Sequence, residues 1–217
     1  MDNYSDYLNI AASVVGTITL GPGLRSVIWV QGCPFHCEGC ISPEWIVDKE
    51  AHLVKPDILA KELLENPEVT GITISGGEPM LQARNLTLLI QAARKIRDVD
   101  VICFTGFEIE KLRSIPMAPR VTDLLSNIDV LIDGKYIQDL NNNQGMRGSS
   151  NQRIIHLTDR LLSTDFEHIT RQVEVRVLNG QLLFVGVPPI GMLPHLIKKV
   201  DLELQRIPQR MEEYERT

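Results

Sequence analysis

The chain has 217 residues, of which 43% are hydrophobic and 23% are charged. This length is typical of one domain with a small appendage, and it buries a core without a metal or disulfide staple. The net charge of -6 argues against a protein that binds the phosphate backbone of nucleic acids. No window approaches the roughly 18 apolar residues of a membrane span, and the acidic segment 1–6 is unlike a signal peptide. We therefore expect a cytoplasmic protein with no membrane or nucleic-acid partner.

The first two thirds of the chain alternate between apolar, β-branched runs and segments of helical spacing. We predict strands at residues 27–30, 69–75, 99–104 and 128–132, and helices at residues 56–65, 81–96, 108–113 and 120–126. Strands that alternate with helices favour parallel β/α units, whose strands are covered on both faces and hence apolar. The predicted fold class is therefore α/β.

The composition changes in the last third. Residues 138–152 are polar and predict a long loop. Asn179-Gly180 lies between two apolar runs and predicts a β-hairpin with a two-residue turn, because both positions tolerate positive φ. Pro188-Pro189 then precedes a final helix from about Leu193. We predict a core at residues 1–170 and a hairpin-and-helix extension, residues 171–217, that packs on it.

Glycine-rich or polar residues follow each predicted strand of the core, at Gly32, Gly76-Gly77, Gly106 and Gly134. In barrels and open α/β sheets, ligands bind at the carboxyl ends of the strands. We therefore expect four separate motifs to meet at one edge of the sheet.

Three of the four cysteines, Cys33, Cys37 and Cys40, lie within eight residues in a C-x3-C-x2-C pattern. In a cytosolic chain such crowding indicates metal binding or catalysis rather than disulfides. A structural zinc site would need His36 or a distant donor as a fourth ligand, whereas an iron–sulfur cube held by three cysteines leaves one iron open. Cys103 lies in an apolar run and is interpreted as a small buried side chain rather than a fourth ligand.

The cysteine pattern and Gly76-Gly77-Glu78-Pro79, which follows a strand, resemble the cluster and GGEP motifs of the radical S-adenosylmethionine (SAM) superfamily. More narrowly, the chain is similar to the anaerobic ribonucleotide reductase activating proteins and the related pyruvate formate-lyase activating enzymes. The matching segments are Gly21–Arg25, Gln31–Cys33, Thr105-Gly106, Ile128–Lys135 and Arg147–Arg153. The resemblance runs from about residue 21 to residue 155, and a glycine before the third cysteine fits the reductase-activating branch.

The resemblance implies a partial (β/α) barrel with a C-terminal hairpin and helix, and two cofactors, a [4Fe-4S] cluster and SAM. Cys33, Cys37 and Cys40 would be the metal ligands and catalytic residues. The implied cofactor-binding residues are Gly39, Ile41, Gly76, Gly77, Glu78, Pro79, Thr105, Asp133 and Lys135. The implied reaction is reductive cleavage of SAM, followed by hydrogen abstraction from a backbone glycine of a glycyl radical enzyme. A flavodoxin- or ferredoxin-like protein would donate the electron.

Several of these residues also have an ordinary structural interpretation. Glu78 either accepts from the SAM amino group or supports the start of the next helix, and Lys135 either meets the SAM carboxylate or ribose or is a solvated loop lysine. The segment from Arg147 to Arg153 either binds a ligand or partner or satisfies its own turns. Arg25 either steadies the cluster loop or lies on the surface.

Two other functions remain open from the sequence. One is a radical SAM enzyme of the same build that acts on another peptide or a small molecule. The other is a non-enzymatic zinc or electron-transfer module.

Overall fold

We analysed a computed structural model, which describes residues 6–114, 118–178, 181–192 and 195. Contacts divide the chain into two units, Met1–Val187 and Pro188–Thr217. All strands and helices named below belong to the first unit. In the second, His195 N–H donates to the carbonyl of Gly191; from residue 193 onward, the predicted final helix lies almost wholly outside the described residues. No described helix has the length and apolar character needed to cross a membrane.

Within the described residues, seven strands form one sheet in the order β3-β1-β2-β4-β5-β6-β7. The strands are β1 Leu8–Thr17, β2 Arg25–Val30, β3 His52–Val54, β4 Gly71–Gly76, β5 Asp100–Phe104, β6 Val130–Asp133 and β7 Arg153–His156. The neighbours β2, β4, β5 and β6 are parallel, and β1, β3 and β7 extend the two edges antiparallel. The predicted α/β class and its parallel central strands are confirmed, whereas β1, β3 and β7 were not predicted.

The helices connect the parallel strands close to the predicted positions. They are α1 Pro56–Leu63, α2 Ala83–Ile96, α3 Ile109–Ser114 and α4 Ala118–Leu125, with short 3-10 turns at Pro43–Trp45, Pro79–Gln82 and Gln138–Leu140. Leu63 of α1 and Leu89 of α2 are fully buried in one cluster with Ile28 and Ile74 of the sheet. Helices therefore cover one face of the sheet.

The opposite face is covered by the hairpin and the long loop. Ile102 and Ile132 pack there with Met146 and Phe166, which lie beyond β6. Because both faces are covered, the central strands are mostly apolar, as is typical of parallel strands; Arg25, Ser26 and Thr73 are buried polar exceptions.

The predicted hairpin consists of β8 Val173–Leu178 and β9 Gln181–Gly186, which pair antiparallel. Its turn, Asn179-Gly180, lies outside the described residues. Val185 of β9 is buried in a cluster with Trp29 of β2, and Arg176 Nη2 donates to the carbonyl of Gly16 at 2.8 Å. The hairpin therefore packs on the face of the sheet that the helices leave open.

Arg25 is fully buried at the beginning of β2, and neither sequence interpretation of it was right. Its guanidinium donates to Thr73 Oγ1 at 2.9 Å, to the carbonyl of Ile72 at 3.0 Å and to Asp100 Oδ1 at 2.5 Å. Burial lowers the pKa of this guanidinium, and Asp100 opposes the shift. Arg25 thus joins β2, β4 and β5 at their amino ends, opposite the cysteine loop.

The polar loop after β6 is ordered by its own side chains. Gln152 accepts from the backbone N–H groups of Gly148 and Ser149 and donates to the carbonyl of Gly134 at 2.8 Å. Arg171 donates to several loop carbonyls, including that of Arg147 at 2.6 Å. These contacts agree with the interpretation that this segment satisfies its own turns.

Candidate metal centre and cofactor site

The carboxyl ends of the four parallel strands lie side by side at one edge of the sheet. Val30 of β2 is in register with Gly76 of β4, and Phe104 of β5 with Ile132 of β6. Each end continues directly into one of the predicted motifs. The expected convergence of four motifs is therefore confirmed.

Backbone hydrogen bonds link these motifs to one another beyond the strands. Gly77 N–H donates to the carbonyl of Val30 at 2.7 Å, and Glu78 N–H donates to that of Gly32 at 2.8 Å. On the other side, Thr105 N–H donates to the carbonyl of Ile132 at 2.9 Å. The cysteine loop, the Gly-Gly-Glu turn and the β5 and β6 ends consequently form one connected structure.

The base of the cysteine loop is held by the segment that returns after it. Gly32 N–H and Cys33 N–H donate to the carbonyls of Trp45 and Ile46 at 2.9 and 3.0 Å. The side chain of Gln31, 5% exposed, donates to the carbonyl of Val47 at 2.7 Å. The role of Gln31 in closing the loop was not predicted from the sequence.

Two more amides extend this clamp. Gln82 Nε2 donates to the carbonyl of Asn9 at 2.9 Å and to that of Gln31 at 3.2 Å. Asn9 Nδ2 donates to the carbonyl of Lys49, and Asn9 Oδ1 accepts from Ala51 N–H. The partners lie 40 or more residues apart, so periodicity carried no signal for them.

The thiols of Cys33, Cys37 and Cys40 are free and half-buried. Burial raises the pKa of Cys33 to about 11 and also raises that of Cys40, while a backbone N–H near each thiol opposes the shift. Within the described ranges, no three His, Cys, Asp or Glu side chains are grouped so that they could hold a metal ion. Metal binding requires these thiols to lose their protons.

The chemistry of this donor set fits an iron–sulfur cluster. Three thiolates on one short loop are the soft ligands that such clusters take from proteins. His36, the nearby residue that could complete a zinc site, is exposed. Cys103 is fully buried within β5, and burial raises its pKa well above the ordinary value, as expected for a small apolar side chain.

Glu78 is buried beside this loop, and its carboxylate accepts three hydrogen bonds. The donors are Met80 N–H at 2.9 Å, Thr105 Oγ1 at 2.8 Å and Gly106 N–H at 2.8 Å. Burial raises its pKa to about 7, although these three donors favour the charged form. Glu78 thus connects β4 to β5 and also caps the turn that begins at Pro79, in line with its structural interpretation.

The Gly-Gly pair was expected to bring backbone close to a ligand, but its closest neighbour is the chain itself. Gly76 has φ +107, and a Cβ there would overlap the backbone of Val30. A Cβ on Gly77 would collide with the carbonyl oxygen of Gly32. Both glycines are therefore needed for the turn to lie against the base of the cysteine loop.

Thr105 and Asp133 were expected to bind the cofactor, yet the protein itself takes up their polar atoms. Thr105 Oγ1 contacts Glu78 and accepts from Phe107 N–H at 3.1 Å. Asp133 is fully buried and accepts from Ile109 N–H at 2.8 Å and from Arg153 Nε at 2.9 Å. Cofactor binding by Thr105 and Asp133 stays a prediction.

Gly39 lies within the cysteine loop, Ile41 directly follows it, and Lys135 lies beside it. Lys135 Nζ lies 4.7 Å from the centroid of the Phe35 ring. The side chain of Gln138 lies directly against Gly39, where a Cβ would overlap it, and Ile41 is exposed. The segment after β6 therefore reaches the loop at two points.

Comparison with known proteins adds the family to this geometry. Residues 19–155 match the family model of the 4Fe-4S single cluster domain, which covers more than half of the chain. The anaerobic ribonucleoside-triphosphate reductase-activating protein of Escherichia coli K12 is 33% identical over 164 residues, which are 71% of this chain and 99% of that protein. The chain belongs to this family of activating proteins.

Other family members match over a similar length. The activating protein of phage T4 is 31% identical over 67% of this chain and 92% of its own length. That of Vibrio cholerae is 31% identical over 71% of this chain and 97% of its own length. The family model ends before β8 begins.

Proposed function

We propose that this protein is a radical SAM enzyme that installs a glycyl radical on an anaerobic ribonucleotide reductase. The single observation that carries the proposal is the three-thiol loop, hydrogen-bonded at its base to the Gly-Gly-Glu turn, in a chain that belongs to the reductase-activating family. A zinc or electron-transfer module would not need that turn or a set of only three thiols.

The proposed cluster ligands are Cys33, Cys37 and Cys40. When bound, the cluster and SAM supply the one-electron chemistry that yields an adenosyl radical able to abstract hydrogen. The thiolates of these three cysteines would hold the cluster, and a set of three would leave it open to SAM. The loop is fixed by hydrogen bonds from Gly32, Cys33 and Gln31 to the carbonyls of residues 45–47.

The remaining predicted residues divide into those whose groups face the loop and those that support it. We assign SAM contacts to Lys135, which carries a cation beside the cysteine loop, and to the backbone at Gly39 and Ile41. We assign supporting roles to Glu78, Thr105 and Asp133, because their polar atoms already have protein partners. Gly76, Gly77 and Pro79 form the turn that brings Glu78 there.

We propose that the sheet is a partial barrel of the radical SAM type. Its four parallel strands carry all four motifs at one end, and antiparallel strands extend both edges. We further propose that residues 1–170 form the catalytic core and that residues 171–217 extend the chain beyond it. The electron donor in this proposal is a flavodoxin- or ferredoxin-like protein, and the net charge of -6 disfavours nucleic acid as a partner.

The test is anaerobic reconstitution with iron and sulfide, followed by addition of dithionite and SAM. We expect about four irons per chain, release of 5′-deoxyadenosine, and the electron paramagnetic resonance doublet of a glycyl radical on the added reductase. Cys37→Ala should abolish all three signals, whereas the matched control Cys103→Ala should retain them. Stoichiometric zinc and no 5′-deoxyadenosine would refute the proposal, and SAM cleavage without the doublet would point to another substrate.

A further inference from the structure

The tip of the cysteine loop is held differently from its base. In the described part of the chain, the backbone of residues 34–38 forms no hydrogen bond with the backbone of a strand or helix. The Phe35 side chain of this stretch contacts residues from other segments of the chain. Its ring contacts the ends of two neighbouring strands.

The first contact is with the end of β5. A Cβ built on Gly106 would lie 2.5 Å from two carbon atoms of the Phe35 ring, so only glycine leaves room for the ring there. The ring also meets Phe107 edge-on, with centroids 4.8 Å apart and planes at 65°. Aromatic pairs prefer this edge-to-face arrangement. The Phe35 ring therefore packs closely against Gly106 and Phe107.

The second contact is with the segment after β6. Lys135 Nζ lies 4.7 Å from the centroid of the Phe35 ring, within the distance at which an ammonium group is attracted to an aromatic face. Lys135 itself is exposed. The Phe35 ring thus contacts both Gly106 and the ammonium group of Lys135.

We propose that Phe35 is a positioning residue that fixes the tip of the cysteine loop against the ends of β5 and β6. It acts through Cys33 and Cys37, each two residues away along the chain, and it needs no contact with substrate. The inference rests on the proposed function only in that these cysteines bind the cluster. The contact between ring and lysine exists in the cluster-free chain and is measurable there.

The first measurement is nuclear magnetic resonance of the cluster-free protein. An aromatic ring face shifts nearby protons upfield, so we expect the ε-methylene protons of Lys135 to resonate upfield of those of Lys111, an exposed lysine of α3. Phe35→Leu should remove the shift because it removes the ring. Gly106→Ala should also remove it by displacing the ring, and Phe35→Tyr should keep it.

The second measurement is the rate at which the reconstituted cluster loses iron to a chelator. From the usual worth of such aromatic contacts, Phe35→Leu and Gly106→Ala should each speed the loss by about two- to tenfold. Phe35→Tyr should restore the rate of the unaltered protein. The double variant Phe35→Leu/Gly106→Ala should lose iron no faster than Gly106→Ala alone, because both changes remove the same contact. Lys111→Met is the control and should leave the rate unchanged.

The inference fails if Phe35→Leu leaves the chemical shift of the Lys135 ε-methylene protons unchanged. It also fails if Phe35→Leu and Phe35→Tyr increase the rate of iron loss equally. Its failure is separate from that of the proposed function. If the variants behave as expected but the unaltered protein never releases 5′-deoxyadenosine, the positioning role stands and the proposed function falls. If SAM is cleaved but the ring proves dispensable for the loop, the positioning role falls alone.

Discussion

Replacement of Glu78 by glutamine should change how the stability of the cluster-free protein depends on pH. Glu78 is 1% exposed, and burial raises the pKa of its carboxyl group from 4.5 to about 7. The folded protein therefore keeps a proton on this group at pH values where the unfolded chain has lost it. Glutamine has a similar shape and does not titrate.

The sign follows from the difference in bound protons. Between pH 4.5 and about 7 the folded state binds more protons at Glu78 than the unfolded state, so the free energy of unfolding falls as the pH rises. A shift of this size corresponds to roughly 3 kcal/mol. The cost of the buried charge is absent below the lower pKa and complete above the higher one.

The assay is urea unfolding of the cluster-free protein and of Glu78→Gln over this pH range. Glutamine turns an N–H group toward Gly106 N–H or Thr105 Oγ1, which adds a penalty that does not vary with pH. We therefore compare slopes: the stability of the unaltered protein relative to the variant should decrease by about 3 kcal/mol as the pH rises. A difference that stays constant, or that changes in the opposite direction, would refute the reasoning.

Three other substitutions test other parts of the molecule. Arg25→Met leaves Asp100 without its buried partner and should cost about 3 to 5 kcal/mol in urea unfolding; a loss below about 1 kcal/mol would contradict the packing described. Gly77→Ala forces the turn away from the carbonyl of Gly32. The iron bound per chain should therefore fall clearly while the urea midpoint of the cluster-free protein changes little. A large fall in both would indicate a general folding defect. Cys103→Ala removes a buried thiol that holds no iron, so the iron count should stay at about four per chain, and a lower count would make Cys103 a ligand.

The central strands and their order of alternation with helices could be predicted from the sequence. The runs 27–30 of β2 and 130–132 of β6 are buried and continuously apolar, which is the pattern of a strand covered on both faces. The first strand, Leu8–Thr17, mixes buried with half-buried positions and includes alanine, serine and asparagine. The edge strands β3 and β7 span only three and four residues. Neither pattern distinguishes a strand from a loop.

The location of the site could also be predicted, because glycine motifs that follow parallel strands must meet at one edge. The partners of its side chains could not. Glu78 binds Thr105 and Gly106, and Asp133 binds Ile109 and Arg153, across 20 to 28 residues of chain. Such pairs depend on the register between strands and on what covers the strand ends. Phe35 illustrates the limit: nothing in the local sequence indicates that its ring needs a glycine 71 positions later.

The buried Arg25 network stands at the amino ends of β2, β4 and β5, and the cysteines stand beyond their carboxyl ends. Oxygen attacks an iron–sulfur cluster before it attacks the protein, so damage would begin at the end of the sheet that lies opposite the buried Arg25 network. A chain that has lost its cluster to oxygen should consequently stay folded and be able to receive a new cluster, rather than unfold and be degraded.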